Sequence, residues 1–550
     1  MLSMGKLYSV LVFMLLFIFS ANTIFAQENN KFGIHITDES DLEDAANLVN
    51  SSGGSWGYVT FVIREDEINL SRWQNVFDKM RRLKLIPIVR IATKIDGNNW
   101  QIPKAEDAHK WSEFFSQLNW PTKEHFIILF NEANHSKEWG GRVDPVSYTK
   151  LTNIYYEELK SLGENFKILP AGIDLAASNT NSTMEASKFF KLVYSQDKDF
   201  FKKFDYWNSH SYPNPGFSGS VQDTGKKSIQ GYIWEKEFLE DYGLDPNIKV
   251  FITETGWIRK SLSDEQISKY YRYAYEQIWN GPQIMAVTPF ILNYEAEPFS
   301  GFSLMNRTKK EYTKAYEQIK DLSKVEGAPE QINAFEIEDI DIPKRLVAQS
   351  SYLFKITLKN TGQSIWNETD GFSMHYQTNT ENEKVKIWDI PETEPSETAD
   401  IIVQIETNEV GKQKLVLSFN KNGQEFGQKI EREFEILTPP SLEIKALGWF
   451  GTKETSDEYK ILLTDQNRTI LSLDNFEIIQ GIGNIPALYN VVPGNEYRLR
   501  LERKFHLYKE KLVKIDEVRS SVDFGRLLPD VSFWDLISNP YKLEKRILPL

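Results

Sequence analysis

The sequence contains no cysteine, so disulfides, thiolate metal sites and cysteine nucleophiles are all excluded. Positive charge is short as well: 64 Lys and Arg stand against 78 Asp and Glu, a formal net charge of -14. Nucleic acid and anionic membranes are poor partners for such a chain, because both need clustered Lys and Arg. The seven histidines are scattered and form no HExxH, and no glycine-rich phosphate loop precedes a helix. In the C-terminal tail Asp530 and Asp535 lack the spacing of a calcium loop. Neither a metal nor a cofactor is expected. An apolar run from Leu7 to Phe19 follows Lys6 and leads through Ser20 to Ala26, the pattern of a secretory signal cleaved after Ala26. Ile24 is larger than the residue usual at that place, which leaves an uncleaved membrane anchor open. Either way an exported chain is expected, and without disulfides it must rely on its cores.

What is present begins with aromatic side chains, 13% of the total, and ten of the fourteen tryptophans precede residue 330. Most belong in cores, with a minority available to line an open site. From residue 32 to about 322, apolar runs alternate with helical patterns, the signal of βα units around a parallel sheet. Eight strands are predicted: Phe32 to Ile36, Tyr58 to Ile63, Ile86 to Ala92, Phe126 to Phe130, Lys167 to Ala171, Phe204 to Ser209, Lys249 to Thr253 and Ala286 to Leu292. Between them apolar residues recur at helical period, as in Leu70, Trp73, Val76, Phe77, Met80 and Leu83. Eight such units fit an α/β fold, a (β/α)8 TIM barrel over 27–322, better than an open sheet. Residues 323–332, with Gly327 and Pro329, read as a linker. Two all-β modules are expected beyond it. Residues 333–437, with alternating Phe354, Ile356 and Leu358 and the turn pair Asn422-Gly423, read as an immunoglobulin-like β-sandwich; 438–550 form a β-rich module.

A barrel of this kind does its chemistry at the C-terminal ends of its strands. There the stretch ILFNEANH ends the fourth predicted strand in Asn131 and Glu132, and VFITETGW places Glu254 at the end of the seventh. Two carboxylates across one apolar mouth cannot share an environment: one should hold its proton while the other stays ionised. An acid facing a nucleophile is what glycosidic bond cleavage requires.

On these motifs the chain resembles the retaining clan A glycoside hydrolases, over residues 32 to 322. Their barrels carry an Asn-Glu pair after strand four and a second Glu after strand seven. The resemblance implies Glu132 as acid/base, Glu254 as nucleophile and Asn131 as a ligand of the sugar 2-hydroxyl. In YWNSHSYPNP, His210 and Tyr212 stand where such enzymes place a hydrogen-bonding partner of the nucleophile, and Trp257 stands where a ring can stack on sugar. Trp139, in the EWGG loop, is either a second stacking ring or a loop anchor. Two positions depart from the pattern. Thr60 occupies the region of strand two where an arginine is usual, so Arg64 or Arg90 would supply that charge, although Arg90 and His35 could also close a polar layer inside the barrel. Strand eight ends in Asn293 and Tyr294 rather than in Trp. The expectation is a secreted retaining β-glycosidase acting on a polysaccharide or glycoconjugate, its β modules serving as spacers or contacts to cell surface or polysaccharide. A cell-surface protein that binds glycans without turning them over is the alternative.

Overall fold

The computed structural model describes residues 29–378, 387, 388, 390–449, 456–466 and 468–530. The expected export signal over 1–26 and Asp535 of the tail lie outside them. Among the described residues no helix is long and apolar enough to cross a membrane. The chain divides between Ile332 and Asn333 into two compact units, the first α/β and the second all-β.

The first unit carries eight parallel strands: β1 (Gly33–His35), β2 (Gly57–Arg64), β3 (Leu85–Ala92), β4 (His125–Leu129), β5 (Phe166–Leu169), β6 (Trp207–His210), β7 (Val250–Glu254) and β8 (Ile284–Val287). Eight helices alternate with them: α1 (Leu42–Val49), α2 (Leu70–Arg82), α3 (Asp107–Gln117), α4 (Pro145–Lys160), α5 (Ala186–Gln196), α6 (Gly231–Glu240), α7 (Asp264–Tyr273) and α8 (Lys314–Asp321). Strands β1 to β5 pair in order as one sheet and β6 to β8 as another. Between the sheets, pairing thins to single parallel bridges, Phe32 with Val287 and Asp174 with His210, one at each seam. The predicted eighth strand is shortened: beyond Val287 the backbone leaves the ladder, and Pro289 O and Leu292 N bond instead to the main chain of His35.

Local chemistry explains these elements. Strands β4 and β7 are buried along their whole length, which is why they read as unbroken apolar runs. Helix α2 starts where the Asn69 side chain accepts from Arg72 N at 2.9 Å, an N-cap that satisfies an orphan donor. It buries Trp73, Val76, Phe77 and Met80 on one face, and Lys79, Arg81 and Arg82 fill the last turn, where cations favour the helix dipole. Between the sheets Tyr58, Phe126 and Phe251 meet edge-on or tilted, with centroids 4.9 to 6.1 Å apart, and pack with Ile88, Ile128 and Leu169. This plug fills the interior below the C-terminal strand ends.

Segment 323–332, expected as a linker, is fastened to the first unit. The Lys324 ammonium is buried and donates to the carbonyls of Ile319, Lys320 and Leu322; Gln331 Nε2 donates to Pro121 O at 2.8 Å. A chain that satisfies buried backbone carbonyls in this way is structure rather than tether.

In the second unit, a three-stranded sheet (Phe335–Ile340, Ser350–Asn360, Thr398–Thr407) and a five-stranded sheet that includes Gly411–Lys421 and Gln424–Leu437 share one apolar core. The hairpin at Asn422-Gly423 has φ of +52° and +77°, the left-handed pair that a two-residue turn demands. A seven-stranded sheet follows over 441–526, its two edge strands, Lys509–Lys514 and Arg519–Arg526, brought together by Lys509 and Lys511, which donate to the carbonyls of Phe524 and Asp523. The two groups of strands are joined closely. Tyr352 OH donates to Val491 O at 2.7 Å, and Asn490 bonds to Ser350 and Ser351.

Candidate active site

Because all eight strands run parallel, their C-terminal ends open on one side, and a cleft of about 590 Å³ lies there. Its floor is polar. Arg90, in β3, donates from Nη1 to Glu254 Oε1 at 2.5 Å and to Asn131 Oδ1 at 2.7 Å. Tyr212 OH donates to Glu254 Oε2 at 3.1 Å, and His210 Nδ1 lies 3.0 Å from Glu132 Oε1 and 3.7 Å from Glu254 Oε2. Carboxylate oxygens of Glu132 and Glu254 come within 4.8 Å of each other around that imidazole.

The backbone that delivers Glu132 is unusual. Phe130 has φ of +73°, a left-handed conformation that bulky side chains avoid at a cost of ~1 to 3 kcal/mol. Its ring is locked between Trp139 and Tyr155, at centroid distances of 5.5 and 5.0 Å, and Glu132 N donates to Gly172 O at 3.0 Å. Gly172 itself lies under His210: a Cβ there would sit 2.1 Å from the ring's Cδ2. The imidazole can approach Glu132 because that position has no side chain.

The electrostatics are asymmetric. Burial pushes the Glu254 carboxyl up, but His210 and Arg90 outweigh it and hold the group down at about 2. Glu254 is therefore a carboxylate at any ordinary pH. His210 moves up despite burial that pulls it down, because Glu254 and Glu132 both favour its charged form. His35, buried and facing Arg90, is pushed down to about 3 and stays neutral. Burial pushes the Tyr212 phenol well up, and Glu254 adds to that, so the hydroxyl remains a donor.

A third carboxylate belongs to the same floor. Glu138 Oε2 accepts from Asn131 Nδ2 at 3.1 Å, and burial, then Glu132, pushes its carboxyl up to about 7. Nothing in the sequence marks it; only its place in the loop after β4, seven residues beyond Asn131, was available as a signal. His135, which ends the ILFNEANH stretch, pairs with Asp174 at 2.8 Å, and both line the cleft. One wall is aromatic: Phe217, Phe290, Tyr294, Phe299 and Phe302 form edge-on contacts around Tyr212.

Several expected residues lie elsewhere. Trp257 is 2% exposed, donates to Gly219 O at 2.9 Å and packs against Tyr270, Tyr271 and Trp279, so its ring is core and stacks on no sugar. Trp139 borders the cleft but is fully buried with its Nε1 on Ser147 Oγ at 2.7 Å, an anchor of the loop. Asn293 turns to the backbone, its Oδ1 accepting from Arg307 N, and Tyr294 is the neighbour that reaches the cleft. Of the two arginines, Arg90 touches Glu254, whereas Arg64 stands at the rim against Asp66 and Glu67. His210 bonds to Glu132 rather than to Glu254, whose hydroxyl partner is Tyr212. Thr60, in the place of the usual arginine, bonds to Thr288 Oγ1 at 2.9 Å in the buried interior.

Glu132, His210 and Glu254 together have the ligand types and spacing of a small cation site. Arg90 already neutralises Glu254 from 2.5 Å, so a metal would have to compete with a guanidinium.

No protein-family model matches the sequence, and no curated protein matches it. Solved structures to which the chain is similar are glycoside hydrolases. A family 39 glycoside hydrolase from the gut symbiont Bacteroides cellulosilyticus aligns at 12% identity and a TM-score of 0.39, over 68% of this chain and 81% of that one. The endo-beta-1,4-mannanase from Thermotoga petrophila aligns at 11% identity and 0.35, over 75% and 99%. An endo-beta-1,3-glucanase from Pseudomonas viridiflava aligns at 11% and 0.35, over 54% and 98%. At that distance the cleft's own side chains must decide its chemistry.

Proposed function

We propose that the first unit is a (β/α)8 barrel, closed at its two seams, that hydrolyses β-glycosidic bonds by double displacement. The observation that carries this reading is the pair Glu132 and Glu254, with carboxylate oxygens within 4.8 Å in unlike surroundings. Retaining glycosidases hold their two carboxyl groups about 5 to 5.5 Å apart, whereas the water of an inverting enzyme needs about 6.5 to 9.5 Å. Glu254, ionised and aimed by Arg90 and Tyr212, attacks the anomeric carbon. Glu132 gives a proton to the departing glycosidic oxygen, then takes one from the water that releases the sugar from Glu254. His210 holds the Glu132 carboxyl in place for both steps. Asn131, fixed from both sides by Arg90 and Glu138, offers the remaining hydrogen of its amide to the sugar. Binding without turnover would not need a buried carboxylate kept ionised by Arg90 and His210.

The second unit takes no part in this chemistry by the same proposal and serves as a spacer or attachment to polysaccharide or cell surface. The N-terminal apolar run would export the chain or anchor it.

The test is stereochemical. Hydrolysis of a β-glycoside followed by NMR should first show the β-anomer of the product, and Glu254→Ala should lose turnover. Azide should then restore cleavage of an activated β-glycoside and yield the α-glycosyl azide. First release of the α-anomer by the wild-type protein would refute double displacement.

A further inference from the structure

Charge in the cleft is unevenly matched. Two guanidiniums line it, and both are engaged: Arg90 by Glu254 at 2.5 Å, Arg64 by Asp66 at 3.0 Å and Glu67 at 3.6 Å. No lysine is among the lining residues described. The histidines add nothing free, since His35 is held neutral, His135 is paired with Asp174 at 2.8 Å and His210 lies 3.0 Å from Glu132. On the acidic side Glu132, Glu138, Asp174 and Glu254 line the cleft; Glu254 is met by Arg90, Asp174 by His135 and Glu132 by His210, whereas among the described residues no Lys or Arg lies within ion-pair distance of Glu138.

From this mismatch we infer that the cleft takes glycans whose substituents are neutral or amine-bearing and turns away uronic and sulfated ones, with Glu138 as the residue that sets the preference. The inference rests on the reading of the cleft as a glycan site. A carboxylate or sulfate brought to this floor would meet acids with no unpaired cation to receive it, and like charges facing one another in a partly desolvated site are strongly disfavoured. A hydroxyl or ammonium, by contrast, finds acceptors. One oxygen of Glu138 is used by Asn131 and the other is left for a substrate donor. The aromatic wall opposite supplies the apolar surface on which unsubstituted sugar faces pack.

Two readouts on the full chain separate this inference from the glycosidase reading. Turnover is measured on matched oligosaccharides that differ only in carrying CH₂OH, an amine, a carboxylate or a sulfate, and equilibrium binding of the same compounds is measured by calorimetry. At low salt and above about pH 8, where the Glu138 carboxyl held up at about 7 is ionised, neutral or amine-bearing compounds should bind at least about tenfold more tightly than their anionic counterparts. The gap should shrink as ionic strength shortens the Debye length to about 3 Å at 1 M. Glu138→Gln should narrow the ratio by weakening rejection of the anionic series. Selective binding with no turnover of any compound would sink the glycosidase reading and leave the inference standing. Equal or tighter binding of the anionic series, or binding of neither series, would overturn it, as would a ratio that Glu138→Gln does not move.

Discussion

Glu254 shows how a side chain's neighbours outvote its burial. Left alone in that pocket the carboxyl would take up a proton, and it is Arg90 and His210 that hold it as an anion. Glu132, partly open to the cleft, differs in that among the described residues its carboxyl has only His210 as a hydrogen-bond partner. If Glu132 is the acid, Glu132→Gln should slow substrates with poor leaving groups by about 10² to 10⁴, and activated aryl glycosides far less. Steady-state kinetics on the two kinds of substrate check this, and equal losses would remove Glu132 from the role. A second residue acts on stability. Glu235 is fully buried on α6, with Ser209 Oγ donating to it, and burial, only partly offset by that bond, pushes it up to about 8. A folded-state value above the ordinary 4.5 means that the folded chain holds a proton which the unfolded chain releases. Stability therefore falls as pH rises from about 4.5 to 8. Glu235→Gln keeps an acceptor for Ser209 and cannot ionise, so urea titrations at pH 5 and pH 8 should show a flatter pH dependence than the wild type.

Among the elements, the strand ends matter more than the strands. The β5 end brings Gly172 under His210, and the β4 end turns through Phe130 in a left-handed conformation to present Glu132. Gly172→Ala is a small change by volume, but its methyl must displace the His210 ring from the 3.0 Å contact with Glu132. Since misplacement of a catalytic group by about 1 Å can cost on the order of 10²-fold, kcat should fall by about that factor. Circular dichroism should show the secondary structure retained. Unchanged kcat would mean that the imidazole's position is not needed.

For the whole molecule, the boundary at Ile332 and Asn333 has a consequence for truncation. A chain ending at Ile332 keeps the Lys324 and Gln331 bonds to the first unit and should unfold in one cooperative transition with activity on small soluble substrates preserved. A chain ending at Leu322 loses those bonds and should melt at lower temperature. Scanning calorimetry and an aryl glycoside assay read both. A folded but inactive chain ending at Ile332 would mean that the second unit completes the site.

Much of the first unit was legible in the sequence, because parallel strands buried on both faces must be written as apolar runs, and the polar residues that interrupt them at their ends stand out. Asn131, Glu132, His210, Tyr212 and Glu254 could be picked from such positions. What the sequence could not decide was which way a loop residue faces. Trp257 is as aromatic in the core as it would be in a cleft, and only packing turned it inward. The choice between Arg64 and Arg90 depends on which strands stand opposite β7 across the interior, 164 residues apart in the case that was realised. Glu138 and Gly172 belong to no motif, and they acquire a role only when Asn131 and His210 are brought against them. Residue type and period determine which segments form strands and helices, since those follow from local sterics and burial. The partner of each charge was decided by tertiary structure alone, because electrostatic and steric neighbours are set by distance in space and not by distance along the chain.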